Sequence, residues 1–405
     1  MFFKMAWRNL WRNPRRTTVI LIAVVIGLWS LLFLNAFMRG AIEQMVENNI
    51  SILTGHLKVQ KTGYHSDPVI ENSITQPDEV KGVLAKVLPK EARYTSRVRL
   101  QVVASNARHN AGVTLVGIDP EAEAEMSFIG DAPLQGRYLS ADTPHKILAG
   151  RALVEKMETQ LEYKLVLMGQ DTQNEIASRA FRIRGIFDAE LESTEKQYVF
   201  VLKQAAQDML RMGPAVSEFS VLLPEGALLP GVAQALKEAL PEGYRVYTWR
   251  ELLPLMDAYL KMFDGFIYLW TVAVFIAMGF GLVNTILMTV YERMHEFGLL
   301  KALGMKSGWI IREVLAEAFL ILVLGMAAGN GLGVITVEAM SGGLDLSAFA
   351  AGAEFAGMSR IIYPRIVLQD MLVANGVVFF LGLGVSLYPA LKAARFTPVE
   401  AMLQT

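Results

Sequence analysis

The 405-residue chain contains no cysteine. That excludes disulfides, thiolate metal sites and cysteine nucleophiles, but it does not fix the compartment, since a periplasmic domain can do without disulfides. Charge is also scarce. Asp, Glu, Lys and Arg make up 19% of the residues against 53% hydrophobic ones, and the mean hydropathy is +0.35. A soluble protein of ordinary composition is less apolar than this. A net charge of −1 gives no reason to expect nucleic acid as a partner. The five histidines, at 56, 65, 109, 145 and 295, are scattered without metal-ligand spacing. No G-x-x-x-x-G-K-[ST] is present: Gly304, Lys306 and Ser307 have the residue types at the wrong spacing. His295–Glu296 begins like H-E-x-x-H, but position 299 is leucine. G-x-S-x-G is missing too, so no catalytic motif is legible and the chain is expected to be no enzyme.

Long apolar runs are present instead. Four of them approach the roughly 20 residues needed to cross a bilayer. Thr17 to Met38 is uncharged, a second run lies between Asp264 and Glu292, a third runs from Ala318 to Val337, and a fourth lies between Asp370 and Lys392. The expected spans are 17–38, 263–290, 312–337 and 371–391, which put both termini on one side. Positive residues choose that side. Eleven of them (Lys4, Arg8, Arg12, Arg15, Arg16, Arg293, Lys301, Lys306, Arg312, Lys392 and Arg395) fall in 1–16, 291–312 and the tail 392–405. The opposite loop, 338–370, has only Arg360 and Arg365. The termini are therefore expected in the cytoplasm. The first run is longer than a signal-peptide core and no A-x-A site follows it, so it is expected to stay as a span.

Residues 1–16 place Phe3, Trp7, Leu10 and Trp11 at helical spacing opposite Lys4, Arg8 and Arg12, as in a helix lying at the membrane interface, which Pro14 then breaks. Between the first two spans lie residues 39–262, enough for one domain or two lobes. Strands are expected at 56–60, 98–104, 113–118, 164–168, 181–187, 198–202 and 219–223, and helices at 78–87, 151–159, 204–212 and 232–239. That mixture predicts an α+β extracytoplasmic domain. The helices at 39–52 and 251–262 would join it to the spans.

Between the second and third spans, Tyr291 to Gly304 reads YERMHEFGLLKALG. Met294, Phe297, Leu300 and Leu303 recur every third residue among charged neighbours, which predicts one amphipathic helix stopped by Gly304, with Ser307 capping the next. Such a segment is either a plain surface turn or a handle for another protein. Gly325, Gly329 and Gly333 line one face of the third span and allow a close helix contact, within the bundle or across a dimer seam. Asn284, Glu317, Asn330 and Asn375 are polar residues in apolar surroundings, and such asparagines more often join helices than touch a substrate.

The layout, together with MAWRNLWRNPRRT, YERMHEFGLLKALGMKSGWIIREVLAEA and YPALKAARFTPVEAML, resembles the FtsX/MacB/LolCE permease superfamily, the mechanotransmission class of ABC transporter subunits. The resemblance covers both ends well and the middle loosely, through ILAGRALVEKM and FRIRGIFDAE. It implies an α-helical membrane protein of the bacterial inner membrane, with four transmembrane helices and a large α+β periplasmic domain between helices 1 and 2. It further implies that 291–304 is a coupling helix seated in a separate cytoplasmic ABC ATPase dimer, of the LolD or MacB nucleotide-binding kind, which would hold the ATP and Mg; this chain itself would bind no cofactor. Glu292, Arg293, Glu296 and Lys301 would contact that partner, Gly298 and Gly304 would permit the approach, and Met294, Phe297 and Leu300 would be apolar anchors. Other implied partners are a second permease copy or paralogue, a periplasmic carrier or adaptor, and lipid or lipoprotein cargo. The absence of a Walker motif moves the resemblance from MacB toward LolC/LolE. The leading expectation is lipoprotein extraction from the inner membrane, with Met38, Ile42, Met45 and Val46 as route residues unless they merely pack against span two. The alternatives are MacB-like efflux and FtsX-like control of a cell-wall hydrolase.

Overall fold

The computed structural model describes residues 2–224, 226–346 and 361–396. Arg360 and the tail beyond 396, including the end of the C-terminal motif from 397 on, lie outside the described residues. The described residues form two compact units, one within 2–43, 259–346 and 361–396, the other within 44–258.

The first unit is helical. Its elements are α1 (Phe2–Leu10), α2 (Pro14–Asn49, which runs on past the unit's edge), α3 (Pro254–Glu292, which begins before it), α4 (Met294–Ala302), α5 (Ser307–Ala339) and α6 (Leu368–Arg395). Four of them, α2, α3, α5 and α6, are long and apolar enough to cross a membrane. Pro14 opens α2 instead of closing a helix before it, because proline at the first helical position gives up only an N–H that has no partner there. Pro254 likewise interrupts the expected helix at 251–262: Trp249–Leu252 ends, and α3 starts afresh. The glycine stripe of α5 faces α2 of the same chain. A Cβ on Gly325 would lie 2.6 Å from a Val24 methyl, and one on Gly329 would lie 3.1 Å from Leu28 Cβ. On Gly333 it would sit 3.0 Å from a Leu32 methyl. The stripe thus brings two helices of one bundle together. Trp29 Nε1 adds a 3.0 Å hydrogen bond to Thr336. Asn330 and Asn375 exchange amide hydrogen bonds at 2.8 and 2.9 Å between α5 and α6.

The second unit is built on a ten-stranded mixed sheet. Its strands are β1 (Leu57–Lys61), β2 (Arg93–Ser105), β3 (Asn110–Ile118), β4 (Leu134–Gly136), β5 (Lys146–Gly150), β6 (Lys164–Gln170), β7 (Ile176–Phe187), β8 (Tyr198–Leu202), β9 (Glu218–Leu222) and β10 (Tyr244–Thr248). The order is β10-β1-β9-β2-β3-β8-β5-β7-β4, with β6 paired to β2 and β7. Each of the seven expected strand segments overlaps one of these, with 56 and 223 lying just outside β1 and β9, and β4, β5 and β10 are additional. The sheet carries two cores. One gathers Leu57, Val59, Phe219 and Val246 under the helices Pro77–Val87 and Leu229–Ala239. The other gathers Val98, Leu115, Phe181, Phe187 and Phe200. The 13-residue β2 runs through both, so the unit has two lobes on a shared strand.

Candidate functional site

The segment 291–304 is not one helix. Tyr291 and Glu292 finish α3, Arg293 leaves helical geometry at φ −99°, ψ 10°, and α4 covers only Met294–Ala302. Its end is as expected: Gly304 takes φ +91°, Gly304 N–H reaches Lys301 O and Met305 N–H reaches Leu300 O at 3.0 Å, a Schellman closure. Ser307 is the first residue of α5 and caps nothing, because Lys306 occupies the cap position.

The charged residues expected to meet a partner are engaged within the chain. Arg16 forks onto Glu292, one bond being 2.6 Å, and Arg12 Nη2 lies 2.7 Å from Glu296. Arg293 donates to Glu313 at 2.6 Å and to Glu317 at 2.7 Å, lies 3.3 Å from Glu296 and stacks over the Phe297 ring at 4.8 Å. Asn9 of α1 donates to the same two α5 carboxylates at 3.0 and 2.8 Å. Lys301 donates to the carbonyls of Ala394 and Phe396 at 2.6 and 2.8 Å, closing the last turn of α6. Thus α1, α2, α3, α4 and α5 meet in one polar junction around a cavity of about 90 Å³, and Lys301 ties α4 to α6 beside it. In the sequence Arg12 and Arg16 count only toward topology, and nothing local signals their acids.

Two further expectations are corrected. Met294, Phe297 and Gly298 are buried, Phe297 at 1% exposure in the bundle's own core, so they offer no surface to an outside protein. Leu300 packs against the same core. What α4 and the following turn leave bare is a ridge of His295, Leu299, Ala302, Leu303, Lys306 and Trp309, with Leu299 52% and Leu303 78% exposed. At spacings of four and seven, His295, Leu299 and Ala302 share one helix face. The ridge is apolar at Leu299, Leu303 and Trp309 and polar at His295 and Lys306.

At the bundle's other end an open, mostly apolar cavity of about 540 Å³ lies among α2, α3 and α6. Its wall includes Ile42, Tyr268, Phe275 and Val373, and Arg39 and Asp370 pair across its rim at 2.8 Å. Of the four expected route residues, Ile42 lines it. Met38 and Val46 are half-buried, while Met45, at 1% exposure, is packed inside and offers no wall.

The sheet unit holds its own polar cluster. Lys58 Nζ lies 2.7 Å from Glu218, Gln60 donates to Glu218 at 2.9 Å, and Arg97 forks onto Glu123 at 2.7 and 2.9 Å. Burial alone would raise the Glu218 carboxyl, but Lys58, Arg99 and Arg97 outweigh it and bring it down to about 2. Burial, with repulsion from Arg99 and Arg97, brings the Lys58 ammonium down to about 8 despite Glu218. Burial, followed by Glu218, raises the Tyr64 phenol. Among the described residues, no group of three or more His, Asp or Glu could hold a metal.

The family model described as MacB-like periplasmic core domain matches residues 17–239, and the one described as FtsX-like permease C-terminal matches residues 268–398. Among curated proteins, the pyoverdine export ATP-binding/permease protein PvdT of Pseudomonas aeruginosa is 24% identical over 98% of this chain and 58% of its own length. The macrolide export ATP-binding/permease protein MacB of Escherichia coli is 23% identical over 98% and 60%. This chain thus spans less than two thirds of these relatives. The periplasmic region of MacB from Actinobacillus actinomycetemcomitans is 10% identical with a TM-score of 0.35, covering 55% of this chain and 98% of that one. The extracellular domain of the transporter YknZ from Gram-positive bacteria is 13% identical with a TM-score of 0.33, covering 47% and 99%. With the first family model covering more than half of its length and the second its last three long helices, the chain belongs to the FtsX/MacB/LolCE superfamily and is an ABC transporter permease of the MacB/FtsX type with an extracytoplasmic domain.

Proposed function

We propose that this permease works with a separate ATPase to extract lipid-anchored protein from the outer leaflet of the inner membrane. The observation that carries this reading is the cavity among α2, α3 and α6, apolar along its wall and charged at the Arg39–Asp370 rim. Those are the two halves of an amphiphile's chemistry. Three acyl chains with roughly 45 methylenes, at about 0.8 kcal/mol each, cost about 36 kcal/mol to expose to water, so the cargo must pass from one apolar surface to another. A periplasmic carrier would take it. The junction end, with both termini, faces the cytoplasm in this reading. The ridge of Leu299, Leu303 and Trp309 then seats in the ATPase dimer, which holds ATP and Mg, while this chain catalyses nothing and binds no cofactor. A second permease, identical or paralogous, completes the complex.

The test is purification of the complex from native membranes in mild detergent, with mass spectrometry of what accompanies it. Acylated protein should be enriched with the wild type and depleted by Ala374→Trp, which fills the cavity. If no acylated protein accompanies the wild type, and depletion of the permease leaves lipoprotein sorting unchanged, the reading is wrong. Small-molecule efflux with an adaptor is the second reading, favoured by the pyoverdine and macrolide export named for its relatives. It predicts an accompanying adaptor and drug sensitivity on depletion.

A further inference from the structure

Neither the polar junction nor the ridge uses the face of α1 that turns away from the bundle. Residues 1–16 hold five basic residues and no acid. Two of the five are committed within the chain, Arg12 to Glu296 and Arg16 to Glu292. Among the described residues, Lys4, Arg8 and Arg15 are exposed and have no carboxylate within 4.0 Å. Lys4 and Arg8 stand one turn apart, so their side chains share one row of the helix. Beside them Trp7 and, in the turn that follows, Trp11 are 46% and 53% exposed, their rings meeting edge to face at 6.0 Å. Neither indole N–H has an acceptor among the described residues. The face offers positive charge and N–H donors, with no carboxylate to meet them.

The helix is also fixed in place. Ala6 and Leu10 are buried, Asn9 donates to Glu313 and Glu317 on α5 at 3.0 and 2.8 Å, and Thr17 Oγ1 donates to Leu10 O at 2.6 Å. Those contacts set its depth. Glu313 and Glu317 are the last charges of α5 before the run from Ala318 to Val337, which has none. So α1 crosses α5 at the edge of the apolar span, where a bilayer has its headgroups. Water at that depth would satisfy the cations but leave two indole rings bare side by side. Lipid satisfies both, with esters and phosphates as acceptors and glycerol and upper acyl carbons against the rings.

We infer that the outer face of α1 is a docking surface for anionic glycerophospholipid, its phosphates on Lys4, Arg8 and Arg15 and its glycerol region against Trp7 and Trp11. Charge complementarity decides the class: a zwitterionic lipid brings an ammonium group toward the same cations, whereas an anionic one does not. A lipid held there also bears on the junction, since Asn9 on the same helix reaches both α5 carboxylates.

Spin-labelled lipid tests this on the full chain in phosphatidylcholine nanodiscs, the motionally restricted fraction reporting association. Spin-labelled phosphatidylglycerol should associate several-fold more strongly than spin-labelled phosphatidylcholine. One cation near an anionic surface is worth up to about fivefold, so Arg8→Gln should lower that preference by about two- to fivefold. Lys4→Gln, Arg8→Gln and Arg15→Gln together should remove most of it. Lys306→Gln, which takes away an exposed cation outside this face, should leave it unchanged. Arg8 has no partner within the chain, so its variant should melt in uncharged detergent as the wild type does. Equal association of the two lipids, an Arg8→Gln preference equal to that of wild type, or a loss for Lys306→Gln as large as for Arg8→Gln would each overturn the assignment.

Discussion

Replacing Arg293 with glutamine puts the polar junction to a quantitative test. The substitution removes the cation that bridges Glu313 and Glu317, at 2.6 and 2.7 Å, and leaves two buried carboxylates with Asn9 as their remaining donor. Breaking a buried ion pair from one side costs about 3–5 kcal/mol. Protonation sets a ceiling of similar size: neutralising an ordinary glutamate at pH 7 costs about 3.7 kcal/mol, from roughly 2.7 pH units at 1.36 kcal/mol each. A loss of about 3–4 kcal/mol is therefore expected in a detergent-denaturation titration of the purified chain. Arg293→Gln combined with Glu313→Gln and Glu317→Gln should recover most of that loss, because an array with no charges leaves none unpaired. The exposed Arg16–Glu292 pair is the comparator, and its removal should cost less than about 1 kcal/mol. A stability for Arg293→Gln within about 1 kcal/mol of wild type, or a triple variant no better than the single one, would refute the reasoning.

Other expectations follow from the same geometry. Gly325→Leu drives a side chain into Val24 and should destabilise by about 1–3 kcal/mol, while Gly331→Ala, whose Cβ would meet nothing within 4 Å, should not; denaturation of both checks this. Leu303→Glu with Leu299→Glu should weaken co-purification of the ATPase without shifting the thermal midpoint, since both side chains are more than half exposed. Intact complex would remove the ridge from the docking assignment. Glu218 titrates near 2 in the fold against an ordinary 4.5, so its stabilisation is fully present above about 4.5 and lost as pH falls toward 2. At 1.36 kcal/mol per pH unit that is about 3 kcal/mol. Thermal melts between pH 6 and 3 should show the slope, and Glu218→Gln should flatten it.

Several elements were legible because their causes are local. An uncharged run marks a span, β-branched runs such as YVFVL mark buried strands, and Gly304 ends a helix at positive φ. The break at Arg293 was not legible. No glycine or proline lies between Tyr291 and Phe297, and at the break Arg293 reaches Glu313 and Glu317 on the next helix. The same holds for the ridge. Periodicity distinguishes two sides of α4 but cannot say which side the bundle covers, so Phe297 was expected outside and lies within. Arg12 and Arg16 find their acids more than 270 positions along the chain, a distance at which composition and spacing carry no signal. β10, YRVYT, was missed because it carries a charge and a single aliphatic residue, and its place in the sheet comes from pairing with β1.

The hydrogen bonds of the long helices are unevenly shared. α5 is fastened to α6 by the Asn330–Asn375 exchange and to α2 by Trp29–Thr336 and the glycine stripe. Among the described residues, α3 between positions 263 and 288 has no side-chain hydrogen bond to another helix; Thr271 and Thr285 donate back to the carbonyls of Ile267 and Gly281 in the same helix. Its side-chain tie is at the foot, where Arg16 holds Thr289 and Glu292. Sliding α2, α5 or α6 against one another would strand amides in an apolar medium, whereas tilting α3 about its foot strands nothing. α2, α5 and α6 therefore form a frame joined by polar side chains, whereas α3, a wall of the rim cavity, is held along that length by apolar packing through Met278, Leu282 and Ile286.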